Sequence, residues 1–177
     1  DIDTIIKILA SGQTGRQLVI PEGYNLRQIA DKVEATCGID AEEFYAQTQK
    51  ASDYVADYPF LEGVYNDSME GFLYPDTYRV DPSATPDDII RMMLDQFAAQ
   101  IATVDMSYAA SKNLTLCDVV TLASMVEKEY QAESDKAPIA AVFYNRLQKG
   151  MTLGSDVTTY YAVGKDMTEE LTASDLA

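Results

Sequence analysis

The apolar positions in the N-terminal part of the chain fall into short groups with different spacings. Ile2, Ile5, Ile6 and Leu9 recur at helical intervals and predict a short helix over residues 3–10, ended by Ser11-Gly12. Gln17-Leu-Val-Ile20 has no helical period and is stopped by Pro21, which predicts a strand. Leu26, Ile29, Ala30 and Val33 then make one apolar stripe. Asn25 precedes that stripe and Gln28 follows three residues later, the spacing of a capping box, and Gly38 suits the helix end. Asp40 with Glu43 repeats the start signal ahead of Phe44 and Tyr45. Helix, strand and helix within the first 50 residues predict a small α/β piece.

Residues 51–70 are rich in Tyr, Asp and Gly and read as a connection. Glu70-Gly-Phe-Leu-Tyr-Pro-Asp-Thr-Tyr-Arg-Val80 is too aromatic for a plain loop, and Pro75 divides it into a turn and a short strand. Beyond it the pattern is helical. Thr85, Pro86 and Asp88 start a helix through Ile101, and a short helix covers about residues 106–112. Thr115 and Asp118 start another through about Tyr130, and a further helix runs from about Lys136 to Gln148 and stops at Gly150. Met151 to Tyr161 mixes Gly, Ser, Thr and Tyr and is expected to be irregular. The fold class is α+β, with a small α/β piece at residues 1–50 followed by a mainly helical domain at residues 51–177 that carries a short sheet.

Composition narrows the chemistry. The chain contains no histidine, which excludes the usual Ser-His-Asp and Cys-His nucleophilic systems and most zinc sites. Acid–base work must fall to Asp, Glu, Lys, Tyr or Cys, and with 29 acidic residues a carboxylate is the default candidate. The net charge of -16 argues against a nucleic-acid partner and against adhesion to an anionic membrane face. Cys37 and Cys117 are far apart without a CxxC pattern and are expected to be buried free thiols, so they do not fix the compartment. No apolar run reaches the roughly 18 residues of a spanning helix.

The helix from Asp118 to Tyr130 holds the best catalytic candidates. Val119, Leu122, Ala123, Val126 and Tyr130 share one face, expected to be core, and Glu127 and Glu129 flank it on opposite sides, two residues or about 200° apart. A glutamate beside an apolar face can stay protonated through desolvation, as a general acid requires. The plain alternative is a solvated helix glutamate paired with Lys128 or Lys136, and periodicity does not choose between the two glutamates.

Five segments carry a resemblance to a known family. Leu122-Ala-Ser-Met-Val-Glu-Lys-Glu129 resembles the catalytic helix of the YceG-like endolytic transglycosylases. Ile20-Pro-Glu-Gly-Tyr-Asn-Leu-Arg-Gln-Ile-Ala30 is similar to the family's segment joining its LysM-like region to the rest, and Glu70 to Tyr78 resembles its aromatic signature. Ile139-Ala-Ala-Val-Phe-Tyr-Asn-Arg-Leu147 with Gly150-Met151, and Ser155-Asp156 with Thr158 and Tyr161, complete the pattern in the same order. Gly154 departs from it, because more familiar members carry a glutamine there. The resemblance also implies a Tyr-Asn-Thr segment and a Gly/Pro-rich loop beyond Ala177, and an earlier half of the LysM-like region before Asp1.

What the resemblance implies is a LysM-like subdomain at residues 1–50 and a lysozyme-like catalytic domain at residues 51–177 with one essential glutamate, by position Glu127. Glu129 is then expected to be structural, as are Asn145 and Arg146. Glu70, Tyr74, Tyr78, Ser155, Asp156, Thr158 and Tyr161 are the expected substrate-binding residues; Asp156 is the second acidic candidate, and Phe72, Leu73 and Tyr78 could equally be core. The implied substrate is the peptidoglycan glycan strand, cut at the MurNAc–GlcNAc bond to leave 1,6-anhydroMurNAc ends, with release or termination of nascent strands. Neither cofactor nor metal is implied. Cell-wall synthases are the expected protein partners. The implied location is the extracytoplasmic face of the bacterial membrane, reached through one spanning helix outside these residues. The competing classes are a non-catalytic peptidoglycan-binding module and an intracellular scaffold.

Overall fold

A computed structural model of the 177-residue chain describes Ile2, residues 15–165 and residues 167–175. The helix expected over residues 3–10 lies outside the described residues. The first strand, β1, is Arg16–Val19, and it is followed by two helices, α1 at Leu26–Cys37 and α2 at Ala41–Thr48. Asn25 caps α1 as expected: its side chain accepts from the Gln28 amide while the Gln28 side chain accepts from the Asn25 amide. Gly38 ends α1 with φ 73°, a conformation that costs glycine little. Asp40 caps α2 by accepting from the Glu43 amide.

β2, Thr77–Val80, pairs antiparallel with β1 in the register Arg16 with Val80, Gln17 with Arg79, Leu18 with Tyr78 and Val19 with Thr77. Alternation sets one face of this ribbon inward, so Leu18, Tyr78 and Val80 are buried. The helix α3, Pro86–Ile101, starts with Pro86 at its head and a Thr85–Asp88 capping box. It buries Ile89, Ile90, Met93, Leu94 and Phe97. Each such side chain contributes about 1.5–3 kcal/mol on burial.

The connection between α2 and β2 is more than a loop. It makes three short 3-10 turns and buries Ala51, Tyr54, Tyr58, Leu61 and Met69. Phe60 lies 6.1 Å from Phe72 and 5.0 Å from Phe97, ring centre to ring centre, so the connection packs onto α3 through aromatic contacts. Polar contacts reinforce this: the Tyr54 hydroxyl donates to Asp87 Oδ1 at 2.7 Å, and Arg91 bonds both Asp87 and Asp57. β2 pairs with β1 and α3 contacts α2, so residues 51–106 pack with residues 15–50. The chain divides into two compact units, Asp1–Met106 and Ser107–Ala177, and the boundary expected after residue 50 falls inside the first.

The second unit holds α4 at Ser107–Ser111, α5 at Leu116–Glu129, α6 at Lys136–Gln148 and α7 at Asp156–Val163. Thr115 and Asp118 form the expected capping box of α5. The core here is small: Met125, Val126 and Phe143 are buried, with Leu122, Ile139 and Leu153 packed against them. Two expectations need correction. The inward face of α5 includes Met125, whereas Ala123 is exposed. The tail expected to be irregular contains the two-turn helix α7, closed by Gly164 at φ 67°. Among the described residues no helix is long and apolar enough to cross a membrane. Both cysteines are free thiols, but only Cys37 is buried; Cys117 is half-buried.

Acid should weaken the first unit in a defined way. The Tyr54 hydrogen bond, then the Arg91 guanidinium, hold the Asp87 carboxyl below its ordinary range, and Thr85 does the same for Asp88. A depressed carboxyl contributes stability above its unfolded pKa of about 3.9, and that stability is lost as pH falls through the folded value. Urea melts from neutral pH down to about pH 2.5 should show Asp87→Asn less stable than the parent at neutral pH, with the gap closing at the acid end.

Candidate functional site

Glu127 and Glu129 both lie in the last turn of α5, which ends where Tyr130 turns to extended backbone at φ -76°, ψ 148°. Carboxylates there meet the negative end of the helix dipole, an unfavourable placement unless donors are supplied. Both glutamates are supplied. Glu127 is half-buried, its side chain 29% exposed, and accepts from the Tyr130 hydroxyl at 3.3 Å through Oε1. The Lys136 ammonium, at the start of α6, stands 3.8 Å from Glu127 Oε2. Lys136 also bonds Glu133 at 2.9 Å and lies 4.2 Å above the Tyr130 ring. The Glu133 hydrogen bond, aided by the charges of Glu133 and Glu127, holds Lys136 above its ordinary pKa.

Glu129 faces the other way. Its Oε1 accepts from the hydroxyl of Ser155, which is 8% exposed. Ser155 occupies the N-cap position of α7, yet its side chain makes no capping bond, because the hydroxyl goes to Glu129 instead. The turn before it is held from α6: the Arg146 guanidinium donates to the Leu153 carbonyl and, at 3.5 Å, to that of Gly154. Arg146 thus spends its guanidinium on the backbone of this turn.

The remaining candidates divide between the units. Asp156 and Tyr161 on α7 are exposed, Tyr161 at 60%, and the Thr158 hydroxyl donates to the Ser155 carbonyl at 2.9 Å. Glu127, Ser155, Asp156, Thr158 and Tyr161 therefore belong to the second unit, with Glu129 and Arg146. Glu70, Tyr74 and Tyr78 belong to the first. Glu70 accepts from the Leu26 amide at the head of α1 at 3.3 Å, a helix-capping contact. Tyr74 is half-buried. Tyr78 is 6% exposed and its hydroxyl donates to the Tyr74 carbonyl at 2.5 Å, so with Phe72 and Leu73 it is part of the core. Tyr130 was expected only as core. Its hydroxyl contact with Glu127 was available from their three-residue spacing on the helix.

A family model for the YceG-like family matches residues 1–177. The chain belongs to the YceG-like family. An endolytic murein transglycosylase of Bacillus subtilis is 35% identical over 93% of this chain and 49% of its own length. The endolytic murein transglycosylase of Streptococcus pneumoniae R6 is 41% identical over 84% of this chain and 29% of its own length. The chain thus spans about half or less of the curated relatives it matches. A crystal structure of a YceG-like protein from Listeria monocytogenes superposes with a TM-score of 0.78 at 30% identity, covering 99% of this chain and 62% of that one.

Gly154 lies in the turn that Arg146 holds. Its φ is 61°, and an added Cβ would sit 2.6 Å from Arg146 Nη1. Gly154→Ala should cost about 1–2 kcal/mol, from the left-handed backbone alone. Chemical denaturation checks this, and Gly150→Ala at φ 62° in open space is a control for the backbone term without the guanidinium.

Proposed function

We propose that the chain carries the catalytic part of a peptidoglycan lytic transglycosylase, with Glu127 as general acid and then general base. The observation that carries the reading is one half-buried carboxylate in the last turn of α5, with the Tyr130 hydroxyl and the Lys136 ammonium beside it. The names of the curated relatives support the substrate and the reaction class.

One carboxyl group suffices for this chemistry. Protonated Glu127 gives its proton to the oxygen joining MurNAc C1 to GlcNAc, and the C1–O bond breaks with oxocarbenium character at C1. The Glu127 carboxylate then takes the proton of the MurNAc C6 hydroxyl while O6 bonds to C1. The product has a 1,6-anhydro ring, the catalyst is regenerated, and water is not consumed. A tethered nucleophile of this kind acts at high effective molarity. Two-carboxylate hydrolases, by contrast, need a second acid at a set separation. Tyr130 and Lys136 stand beside the carboxylate that the first step leaves behind, and Asp156 and Thr158 at the head of α7 are candidates for orienting the sugar.

The finer architecture belongs to the same proposal. The strand–helix–helix–strand order of β1, α1, α2 and β2 supports a LysM-like piece, which closes only with a strand beyond residue 50. The helical second unit would be the lysozyme-like part. The protein would act on the extracytoplasmic face of the bacterial membrane, anchored by a spanning helix outside these residues, and would release or end nascent strands beside the synthases.

Glu127→Gln in the full-length protein should lower turnover on purified murein by at least ~10²-fold with folding intact, and Glu129→Gln should cost much less. Wild-type products read by mass spectrometry should carry 1,6-anhydro ends. Reducing ends would mean a hydrolase, with Asp156 as the second carboxylate. Binding without cleavage would mean a recognition module.

A further inference from the structure

The bond between Ser155 and Glu129 has no place in the chemistry above, yet it joins the helix that carries Glu127 to the helix that begins with Asp156. Three observations converge on it. Ser155 is buried, and its hydroxyl forgoes the capping bond that an N-cap serine ordinarily makes. Its carbonyl is taken by the Thr158 hydroxyl, so both polar ends of the residue are committed within the protein. The two residues before it are held by Arg146 from α6, and Leu153 packs on the Met125–Val126–Phe143 core. The turn is therefore pinned from α6 through its backbone and from α5 through one side chain.

We propose that Glu129 is a positioning residue: by accepting the Ser155 hydroxyl it fixes the Leu153–Ser155 turn, and with it Asp156, against the end of α5 that bears Glu127. The proposal rests on the transglycosylase reading. It assigns the two glutamates of α5 different work, proton transfer for Glu127 and registration of the neighbouring helix for Glu129. Ser155 serves as the peg of this clasp, its hydroxyl directed at protein.

The test is a double-mutant cycle in the full-length protein on purified murein, with kcat, KM and melting temperature measured for each variant. Ser155→Ala and Glu129→Leu should each lower kcat about tenfold or more, the scale of a small misplacement at an active site, with KM little changed and a melting temperature lower by a few degrees, as loss of a buried hydrogen bond to a charged group entails. The double variant should be no worse than the weaker single one, because both remove the same bond. Ser155→Thr, which keeps the hydroxyl, should recover most of the loss, and Glu129→Gln, which keeps an acceptor oxygen, should lose less than Glu129→Leu. Wild-type kcat in Ser155→Ala, or losses that multiply in the double variant, would overturn the clasp. If Glu129→Leu does not fold, the comparison of Ser155→Ala with Ser155→Thr decides alone. Glu127→Gln is run alongside: its full activity would sink the catalytic assignment, whereas its loss beside an active Ser155→Ala would sink only the clasp. A wild-type protein that leaves murein uncut overturns both.

Discussion

Two carboxylates crowded into the last turn of α5 oppose the field of their own helix, and the second unit is arranged to relieve that conflict. Neither can be satisfied from α5 alone, because the turn offers only Lys128 and the backbone runs out at Tyr130. The donors come from the segments that follow. Tyr130 and Lys136 serve Glu127 from the bend between α5 and α6, and Ser155 serves Glu129 from the head of α7. A helix end that would be unstable in isolation becomes the point on which two further helices are registered. Placing unfavourable charge where it must be compensated from elsewhere is how a site for acid–base chemistry is commonly built.

Such dependence on polar contacts is a consequence of size. The first unit buries a continuous set of large side chains from α1, α3, the ribbon and the aromatic connection, and its polar network around Asp87 adds to a core that already exists. The second unit has three buried apolar residues at its centre. With so little apolar area the packing of Leu153 is a weak hold on the last turn, and Arg146 and Ser155 add directed bonds to it.

What could be read from the sequence is what is encoded locally. The capping boxes at Asn25, Thr85 and Thr115 were legible because both partners of each lie within four residues, and the glycine at the end of α1 because only its own backbone decides it. The helix α7 was not: Val157, Thr158, Thr159, Tyr160 and Tyr161 favour strand or coil, and the one good start signal, Ser155, spends its side chain on a residue of another helix. The phase of α5 slipped for a related reason. The ideal stripe included Ala123 and left out Met125, whereas the core shared with α6 and Leu153 takes Met125 and Val126. Glu127 was singled out by its motif alone; pairing with Lys136 was legible only as the plain alternative, and the Tyr130 contact, three residues on, was missed.

The pairing of β1 with β2 has a consequence for how the protein is made. Arg16 meets Val80, so the ribbon closes a loop that includes α1, α2 and the whole aromatic connection. The entropy of that closure must be met before the ribbon contributes anything. On the ribosome β1 would remain without its partner until residue 80 had left the exit tunnel, with the apolar side of Leu18 and Ile20 unprotected for that interval. The helices of the second unit contact near neighbours in the chain and face no such wait. Synthesis order and contact order thus place the slow, aggregation-sensitive step in the first unit, which leaves the ribosome before the second.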